Sequence, residues 1–334
     1  NPVDIICVPQ SSHNDPATEC AFNQDILTFT NQSGLLQGAY QEGAELNLYE
    51  DVAADFVIMR DSDGNWNNMD GGFKGTTGAP PYYIANTIIE AQNGDIIFGG
   101  AFVNAGGDAN NDFITRWNGT TFVTEITTTV LNGSVYALAY DANWNLYIGG
   151  AFTDAGDLNG DGIVKWNGTS LTSLGTGAAG TTYDIAIDPN NGYVYICGTW
   201  ESVGGIANTA KIAYWNGSAW KALGTGMPGS VTSISCCEFG PNGDLYIGGE
   251  FTGADGAGSG DMIVKWDGAN FTALSGEQLN DKVSAIKFDN HGRLIVGGHF
   301  TNAGNLNVDY IAAYSGSGWE NLGSGTDGKV TGLF

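Results

Sequence analysis

The feature that most constrains this chain is a strand-like segment ending in a glycine pair, which recurs at a nearly fixed interval. The copy at Asn145–Phe152 reads Asn-Leu-Tyr-Ile-Gly-Gly-Ala-Phe, and related segments stand at 95–102, 193–200, 244–251 and 293–300. The second glycine of each pair falls at positions 100, 150, 198, 249 and 298, in steps of 50, 48, 51 and 49 residues. A constant period of this size is typical of repeat architectures. We therefore expect an array of similar structural units.

Each repeat contains four short strand patterns. In the template repeat, Val135–Tyr140 alternates like a half-buried strand, and Leu146–Phe152 is a nearly continuous apolar run, typical of a strand covered on both faces. Ile163–Trp166 and Ser170–Leu174 follow, separated by Asn167-Gly168, a preferred dipeptide of hairpin turns. Four short antiparallel strands per unit of about 40–50 residues predict the blades of a β-propeller. Glycine inside a strand also predicts a close approach of another backbone.

The repeats divide the chain into regions. We expect an N-terminal extension at 1–24 and a β-propeller at 25–334, which comprises a degenerate first blade at 25–70, a linker at 71–85, regular blades at 86–323 and a closing strand at 329–334. The expected fold class is all-β, a propeller of four-stranded antiparallel blades. Six blades are favoured, with the last strand completing a blade begun near the N-terminus. A ring of seven blades is the alternative.

The repeat residues also resemble a known group of proteins. Leu-Tyr-Ile-Gly-Gly-Xaa-Phe-Thr-Xaa-Ala-Gly, then Ile-Val-Lys-Trp-Asn-Gly-Thr and Leu-Gly-Thr-Gly, is similar to the kelch-like and delta-60-type propeller repeats of secreted bacterial, fungal cortical-marker and phage virion proteins. The resemblance covers roughly residues 86–334 and, more weakly, 25–85. It implies the propeller fold but no particular activity, because one fold hosts many functions.

The charge balance narrows the range of partners. The chain has 11 Lys and Arg against 36 Asp and Glu, a net charge of −25. Such a field repels nucleic acid and anionic membranes. No apolar run approaches 18 residues, so we expect no membrane insertion. These properties favour an extracellular protein that is secreted or displayed on the surface of a cell or a virion.

Calcium is the cofactor that the sequence favours most. The loop after the second strand carries oxygen ligands at alternate positions, the spacing with which short loops wrap Ca²⁺. The best match is Asp157, Asn159 and Asp161, and a weaker match is Asp108, Asn110 and Asp112. Residue 168, the twelfth loop position, is Gly rather than the Glu of a calcium-binding loop. The alternative is that Asp and Asn simply form turns here.

Two covalent modifications are also open. Cys7 and Cys20 flank a polar loop and could form a disulfide, which would imply an oxidising compartment. Six Asn-Xaa-Ser/Thr sequons are candidates for glycosylation if the source organism glycosylates, at Asn31, Asn118, Asn132, Asn167, Asn216 and Asn270. Three of them coincide with the Asn-Gly hairpin turn, which explains them without a sugar.

No catalytic residue is predicted. The three histidines are His13, His291 and His299, and no nucleophile elbow of the hydrolase type accompanies them. His299 aligns with Ala101, Ala151, Thr199 and Glu250, a variable position that we expect at one mouth of the central channel. The recurring tryptophans of the third strand are interpreted as packing between blades rather than as sugar-stacking platforms, at Trp117, Trp166, Trp215 and Trp266.

The functional expectation is a non-enzymatic recognition or adhesion module that binds a glycan or a protein partner through loops on one face of a rigid scaffold. We expect contacts in the insertion Gln41–Ala54 and in the loops around Asp108, Asp157, Asp255 and Asn305. One alternative is an architectural subunit of a phage virion or an extracellular filament, and therefore part of a large assembly. A second alternative is a glycan-active enzyme on a propeller scaffold.

Overall fold

The computed structural model describes residues 4–7, 57–60, 66–69, 73, 85–126, 131–155, 161–256, 261–275 and 278–333. The chain forms two compact units, Asn1–Val130 together with Phe334, and Leu131–Leu333. In the part of the chain that the structure describes, no helix is long and apolar enough to cross a membrane.

The first unit contains two antiparallel sheets. One has three strands in the order β1-β2-β3, namely β1 (Asp4–Cys7), β2 (Val57–Arg60) and β3 (Trp66–Asn68). The other is a four-stranded blade of β4 (Ala85–Glu90), β5 (Ile96–Gly100), β6 (Ile114–Trp117) and β7 (Phe122–Val123), with a 3₁₀ turn at Ala105–Gly107. Its core is aromatic, because the Phe73 ring stacks on Phe102 with centroids 4.2 Å apart and meets Phe98 edge-on at 5.6 Å.

The second unit contains four blades of four strands each. Three blades take their strands in chain order, namely β8 (Val135–Tyr140), β9 (Leu146–Gly150), β10 (Ile163–Trp166), β11 (Leu171–Ser173); β12 (Thr182–Ile187), β13 (Val194–Gly198), β14 (Ile212–Trp215), β15 (Trp220–Lys221); and β16 (Ser230–Phe239), β17 (Leu245–Thr252), β18 (Ile263–Trp266), β19 (Phe271–Ala273). The fourth blade has β20 (Val283–Phe288), β21 (Leu294–Gly298), β24 (Ile311–Tyr314) and β25 (Trp319–Asn321), with a small hairpin inserted as β22 (Asn302–Ala303) and β23 (Leu306–Asn307).

The expected fold class is confirmed at the level of its blades. The described residues hold five four-stranded antiparallel sheets, and in each the strand order follows the chain order apart from the inserted hairpin. In three of the five described blades, the hairpin between the third and fourth strands uses the predicted Asn-Gly turn. In one of them, Asn167 Oδ1 accepts from the N–H groups of Thr169 and Ser170 at 2.9 and 2.8 Å. The chain is an all-β propeller protein of four-stranded antiparallel blades.

The terminal regions differ from the expected boundaries in detail. Strand β1 lies within residues 1–24, the predicted N-terminal extension, and pairs with β2 from Asp4–Arg60 to Cys7–Val57. Residues 329–333, most of the predicted closing strand, form no strand among the described residues. Val330 is nevertheless buried at 6% exposure, and its N–H donates to the Gly298 carbonyl at 3.1 Å.

The glycine pairs admit close neighbours, as the sequence predicted. A Cβ atom on Gly149 would lie 2.8 Å from Thr182 Cγ2, and one on Gly248 would lie 2.5 Å from Val283 Cγ1, both in the first strand of the next blade. A Cβ on Gly249, the second glycine of its pair, would instead lie 2.9 Å from Ile234 Cα in the same blade. The first glycine thus makes room for the next blade, and the second makes room for the backbone of its own first strand.

Three of the four third-strand tryptophans are buried, and Trp215 is partly buried against the same core, which agrees with their interpretation as packing. Trp117, Trp166 and Trp266 are 4–6% exposed. The six-membered ring of Trp266 lies 3.1 Å from the Cβ position of Gly224, at the end of the preceding blade. The fourth strand contributes similarly, because Trp220 Nε1 donates to the Leu174 carbonyl of the preceding blade at 2.7 Å. Each such contact joins one blade to the next.

Candidate functional site

In the second unit, the first strands of successive blades lie side by side. The glycine contacts above join β9 to β12 and β17 to β20. Between them, the Cys237 N–H of β16 donates to Asp184 Oδ2 of β12 at 2.9 Å. These contacts place the beginnings of β8, β12, β16 and β20 at one end of the blades. We call this region of the second unit the axial end.

Every first strand has a β-bulge near its beginning. The register shifts between Val135 and Ala137 in β8, and at the equivalent places in β12, β16 and β20. The bulged residues are partly exposed and differ from blade to blade: Tyr136, Tyr183, Ser235 and Ser284. Because bulges re-aim a side chain and occur often beside functional sites, these four positions are the centre of the candidate site.

The two tyrosines form an aromatic pair across two blades. Their ring centroids are 5.6 Å apart with the planes at 88°. Burial, and then the neighbouring Tyr136, raises the pKa of Tyr183 above its ordinary value, so its hydroxyl stays protonated at neutral pH. A partly exposed tyrosine presents both an apolar ring and a hydrogen-bonding tip. The pair can therefore contact the apolar face of a ligand and bond its polar groups.

In each blade of the second unit, the residue that follows the glycine pair forms a backbone hydrogen bond to a residue near the beginning of the first strand. The N–H groups of Ala151, Thr199 and His299 donate to the carbonyls before their first strands at 2.8–3.1 Å, namely those of Ser134, Thr181 and Lys282. In the third blade the corresponding partners are Ser233 and Glu250. In the structure, His299 therefore lies at the axial end, beside Lys282. The residues that follow the glycine pairs change along the chain from Ala151 and Thr199 to Glu250 and His299.

Asp184 is the most perturbed acid of the second unit. Burial raises its pKa to about 7, against the lowering effect of hydrogen bonds from the N–H groups of Cys237 and Ile185. The charge of Glu238 raises it further, and that of Lys287 opposes this. Since the Cys237 bond crosses between two blades, Asp184 holds β12 and β16 together. We assign it a structural role in the site's framework.

The three cysteines around Asp184 are buried and reduced. Cys197, Cys236 and Cys237 are free thiols with exposures of 0–4%. Burial raises the pKa of the Cys197 and Cys236 thiols well above their ordinary value. Thiols of this kind are inert and pack as small apolar groups.

The structure places only part of the predicted calcium ligands. Asp157 and Asn159 lie outside the described residues, and Asp161 lies inside them, where its carbonyl accepts from the Ala178 N–H at 2.7 Å. In the weaker loop, Asp108 Oδ1 accepts from the backbone and side-chain nitrogens of Asn110, both at 2.9 Å.

In the same loop, Asp112 Oδ1 accepts from the Asn104 N–H at 2.8 Å. Within the described ranges, no three His, Cys, Asp or Glu side chains are arranged to hold a metal. Calcium binding at both loops therefore stays a prediction.

Some of the residues predicted for the disulfide and for glycosylation lie inside the described part of the chain, and others lie outside it. Cys7 lies in β1, whereas Cys20, Asn31 and the insertion Gln41–Ala54 are outside the described residues. Asn118 and Asn216, like Asn167, accept turn N–H groups through Oδ1, whereas Asn132 Nδ2 donates to Thr153 Oγ1 at 3.0 Å. Asn270 donates its N–H to Asp267 Oδ1 at 2.7 Å in a fourth hairpin.

Two groups of the axial end were not singled out from the sequence, the tyrosine pair and the lysines beside His299. Tyr136 and Tyr183 stand at one register position in two repeats, and Lys282 aligns with Ser134, Thr181 and Ser233. Comparing every register position across the repeats for changes in chemistry would have found both groups.

Comparisons with known proteins give a partial sequence match and structural matches of low identity. No protein-family model matches the sequence. Polarized growth protein L1 of the fungus Phoma sp. is 36% identical over 103 residues, which is 30% of this chain and 7% of that protein. The match therefore spans a small fraction of the fungal protein.

Similar solved structures are propellers of low sequence identity. YCF48 bound to D1 peptide aligns with a TM-score of 0.49 and 13% identity, covering 82% of this chain and 77% of that one. Virginiamycin B lyase from Staphylococcus aureus aligns with a TM-score of 0.48 and 12% identity, covering 81% and 78%. The assignment of this chain to the β-propeller proteins rests on its own strand pairing.

Proposed function

We propose that this chain is a non-enzymatic recognition module of an extracellular or virion-surface protein, which binds a glycan or a protein partner at the axial end. One observation carries the proposal. The blades repeat their strands and their core contacts, yet the bulged residues change from Tyr136 and Tyr183 to Ser235 and Ser284. A purely structural repeat has no need of this variation, whereas an asymmetric ligand does.

The surroundings of the site support recognition by a rigid surface. Each bulged residue lies between two residues that pair with the second strand of the same blade. The blades are joined by buried contacts such as that between Trp220 and Leu174. A preorganised site loses little conformational entropy on binding. The net charge of −25 favours solubility and disfavours nucleic acid partners, in agreement with a location outside the cell.

We further propose that the repeats are of the kelch-like or delta-60 type and form a ring of six blades. The pairing of β1, β2 and β3 matches that of the second, third and fourth strands of a blade. The segment 329–334 has the sequence of a first strand. This assignment predicts that shortening the chain before residue 329 lowers the thermal stability of the whole protein, which a melting curve measures directly.

The proposed function is tested by screening the full chain on a glycan array and against soluble surface proteins, followed by titration of the best ligand. Tyr183→Ser copies the residue of the third blade and should weaken binding by on the order of tenfold, since it removes a buried aromatic contact. The matched control is Trp144→Asn, which removes an aromatic residue that is 45% exposed at the opposite end of β8 and β9.

Three results would contradict the proposal. Binding that is lost in Trp144→Asn but kept in Tyr183→Ser would move the site away from the axial end. A large native particle that binds no ligand, measured by light scattering, would favour the architectural alternative instead. Turnover of a bound glycan into products would favour the enzyme alternative.

A further inference from the structure

Three basic residues converge at the axial end of the last blade. Lys282 precedes β20, His299 follows β21, and Lys329 precedes the buried Val330. The His299 N–H donates to the Lys282 carbonyl at 3.0 Å, and the Val330 N–H donates to the Gly298 carbonyl at 3.1 Å. These two bonds place the three backbones next to one another, although Lys329 is far from Lys282 along the chain.

The lysines of this cluster lack the ion pairs that occupy most other cations of the described chain. Six Lys and Arg side chains lie within 4.0 Å of a carboxylate, at Arg116, Lys165, Lys211, Lys265, Lys287 and Arg293. The structure records no such pair for Lys221, Lys282 or Lys329 among the side chains that it describes. Two unpaired lysines side by side are unusual in a chain with 36 acidic residues.

The histidine of the cluster responds to these charges. Burial first, and then the charges of Lys282 and Lys329, lower the pKa of His299 below its ordinary 6.5. Asp281 and Glu250 face it as well and act in the opposite direction. At neutral pH His299 is therefore a neutral ring that can donate one hydrogen bond, flanked by two ammonium groups. Acidification adds a third positive charge.

We propose that Lys282, His299 and Lys329 bind the carboxylate of an acidic sugar, a uronate, within a glycan held at the axial end. The proposal rests on the recognition function above and gives it a ligand class. Ammonium groups form charge-assisted hydrogen bonds to carboxylates, which are stronger than neutral ones. The same end of the blades carries the Tyr136–Tyr183 pair, whose rings suit the apolar face of a sugar.

The rest of the surface disfavours the other source of carboxylates, an acidic peptide. A peptide rich in Asp and Glu would meet long-range repulsion from a chain of net charge −25. A glycan that contains uronates meets less repulsion, because several hydroxyls accompany each carboxylate. It also matches the mixture of tyrosines with the hydroxyl groups of Ser235 and Ser284 at the bulges.

The repeats themselves supply substitutions that preserve the fold. Ser occupies the position of Lys282 in two other blades, and Ala occupies the position of His299 in two. We therefore choose Lys282→Ser, Lys329→Ser and His299→Ala. The control is Lys221→Ser, which removes an exposed, unpaired lysine of the second unit from β15 and changes the net charge by the same amount.

The test is titration calorimetry of the full chain with trigalacturonate and with a hyaluronan tetrasaccharide. The methyl ester of trigalacturonate and a Glu-rich peptide serve as comparisons. We expect Lys282→Ser and Lys329→Ser each to weaken binding of the acid about five- to tenfold, the range of a partly exposed charged hydrogen bond. Lys221→Ser should bind like the wild type, and the ester should bind weakly to all variants.

The pH dependence gives a second readout. As the pH is lowered below 6.5, the wild type should bind the acid more tightly, because His299 gains a proton at a pKa that is lower than its ordinary 6.5. In His299→Ala this added affinity should be absent.

The possible outcomes distinguish a failure of the uronate inference from a failure of the proposed recognition function. If neither acidic sugar binds, or if Lys282→Ser matches Lys221→Ser, the inference is wrong, while binding of a neutral glycan or protein would leave the recognition function standing. Binding of the Glu-rich peptide alone, weakened by Lys282→Ser, would overturn the assignment to a glycan. If no glycan or protein binds the chain at all, the proposed function itself fails.

Discussion

Replacing Gly249 by Ala tests the idea that the glycine pair exists to let strands approach. An alanine Cβ at this position would lie 2.9 Å from Ile234 Cα and closer still to the Ser233 carbonyl oxygen. Both atoms belong to the backbone of β16, so no side-chain rotation relieves the contact. The φ angle of Gly249 is not in the left-handed region, and the expected destabilisation is therefore steric alone.

The magnitude follows from the kind of atom that the new methyl group meets. Overpacking costs about 1–3 kcal/mol, and a collision with backbone belongs at the upper end of that range. An unfolding entropy of about 2.1 cal/mol/K per residue amounts to roughly 0.7 kcal/mol/K for 334 residues, so 1 kcal/mol shifts Tm by about 1.4 °C and we expect a fall of roughly 3–4 °C. Gly248→Ala should cost less, because its nearest neighbours are the side-chain atoms Val283 Cγ1 at 2.5 Å and Cys236 Sγ at 2.8 Å.

Gly318 provides the control. A Cβ there meets no atom within 4 Å, and its φ is also outside the left-handed region, so Gly318→Ala should leave Tm within about 1 °C. The assay is a calorimetric melt of the three full-length variants in one buffer. The expected order of destabilisation is Gly249→Ala, then Gly248→Ala, then Gly318→Ala. A Gly249→Ala protein that melts with the Gly318→Ala protein would refute the steric explanation of the repeat.

Three further predictions follow from single side chains. Because the pKa of Asp184 is raised to about 7 from 3.8, its folded form holds a proton that the unfolded chain releases, so this contribution to stability is full below about pH 4 and is lost as the pH rises through 7. In Asp184→Asn, chemical denaturation should show a flatter decline between pH 5 and pH 8; an unchanged slope would contradict the assignment. Trp220→Phe removes the buried hydrogen bond to the Leu174 carbonyl and should lower the free energy of unfolding by about 1–3 kcal/mol, measured by urea titration. If the loop that contains Asp161 binds calcium, Ca²⁺ at about 100 times its dissociation constant should stabilise the protein by about 2.7 kcal/mol relative to EDTA, and Asp161→Asn should reduce the effect; melts that are identical in Ca²⁺ and EDTA would argue against the site.

The strands were predictable because their signals are local. Val135–Tyr140 and Ile163–Trp166 are strands with the predicted bounds, since alternation and hairpin turns act over a few residues. The role of Trp166 as a core residue followed from its recurrence at one register position. The close approach of another strand at the glycine pair was also predictable, because glycine inside a strand often marks a place where a second backbone comes near.

The candidate site was only partly predictable. The sequence placed His299 at a channel mouth, and the structure puts it at the axial end. Only the folded chain shows that its neighbours are Lys282 and Lys329. The tyrosine pair was missed for a similar reason, because Tyr136 and Tyr183 meet through a bulge in each strand. Bulges depend on how strands pair, and no local pattern specifies them.

The sequence by itself determined the four strands of each blade, because their signals depend on residues a few places apart. It also determined the repeat, because the glycine pair recurs at a nearly fixed interval. The tertiary structure decided which residues of different repeats meet. Side-by-side packing of the blades brings the beginnings of all first strands in the second unit to one end. Lysines separated by a whole repeat thereby become neighbours around one histidine.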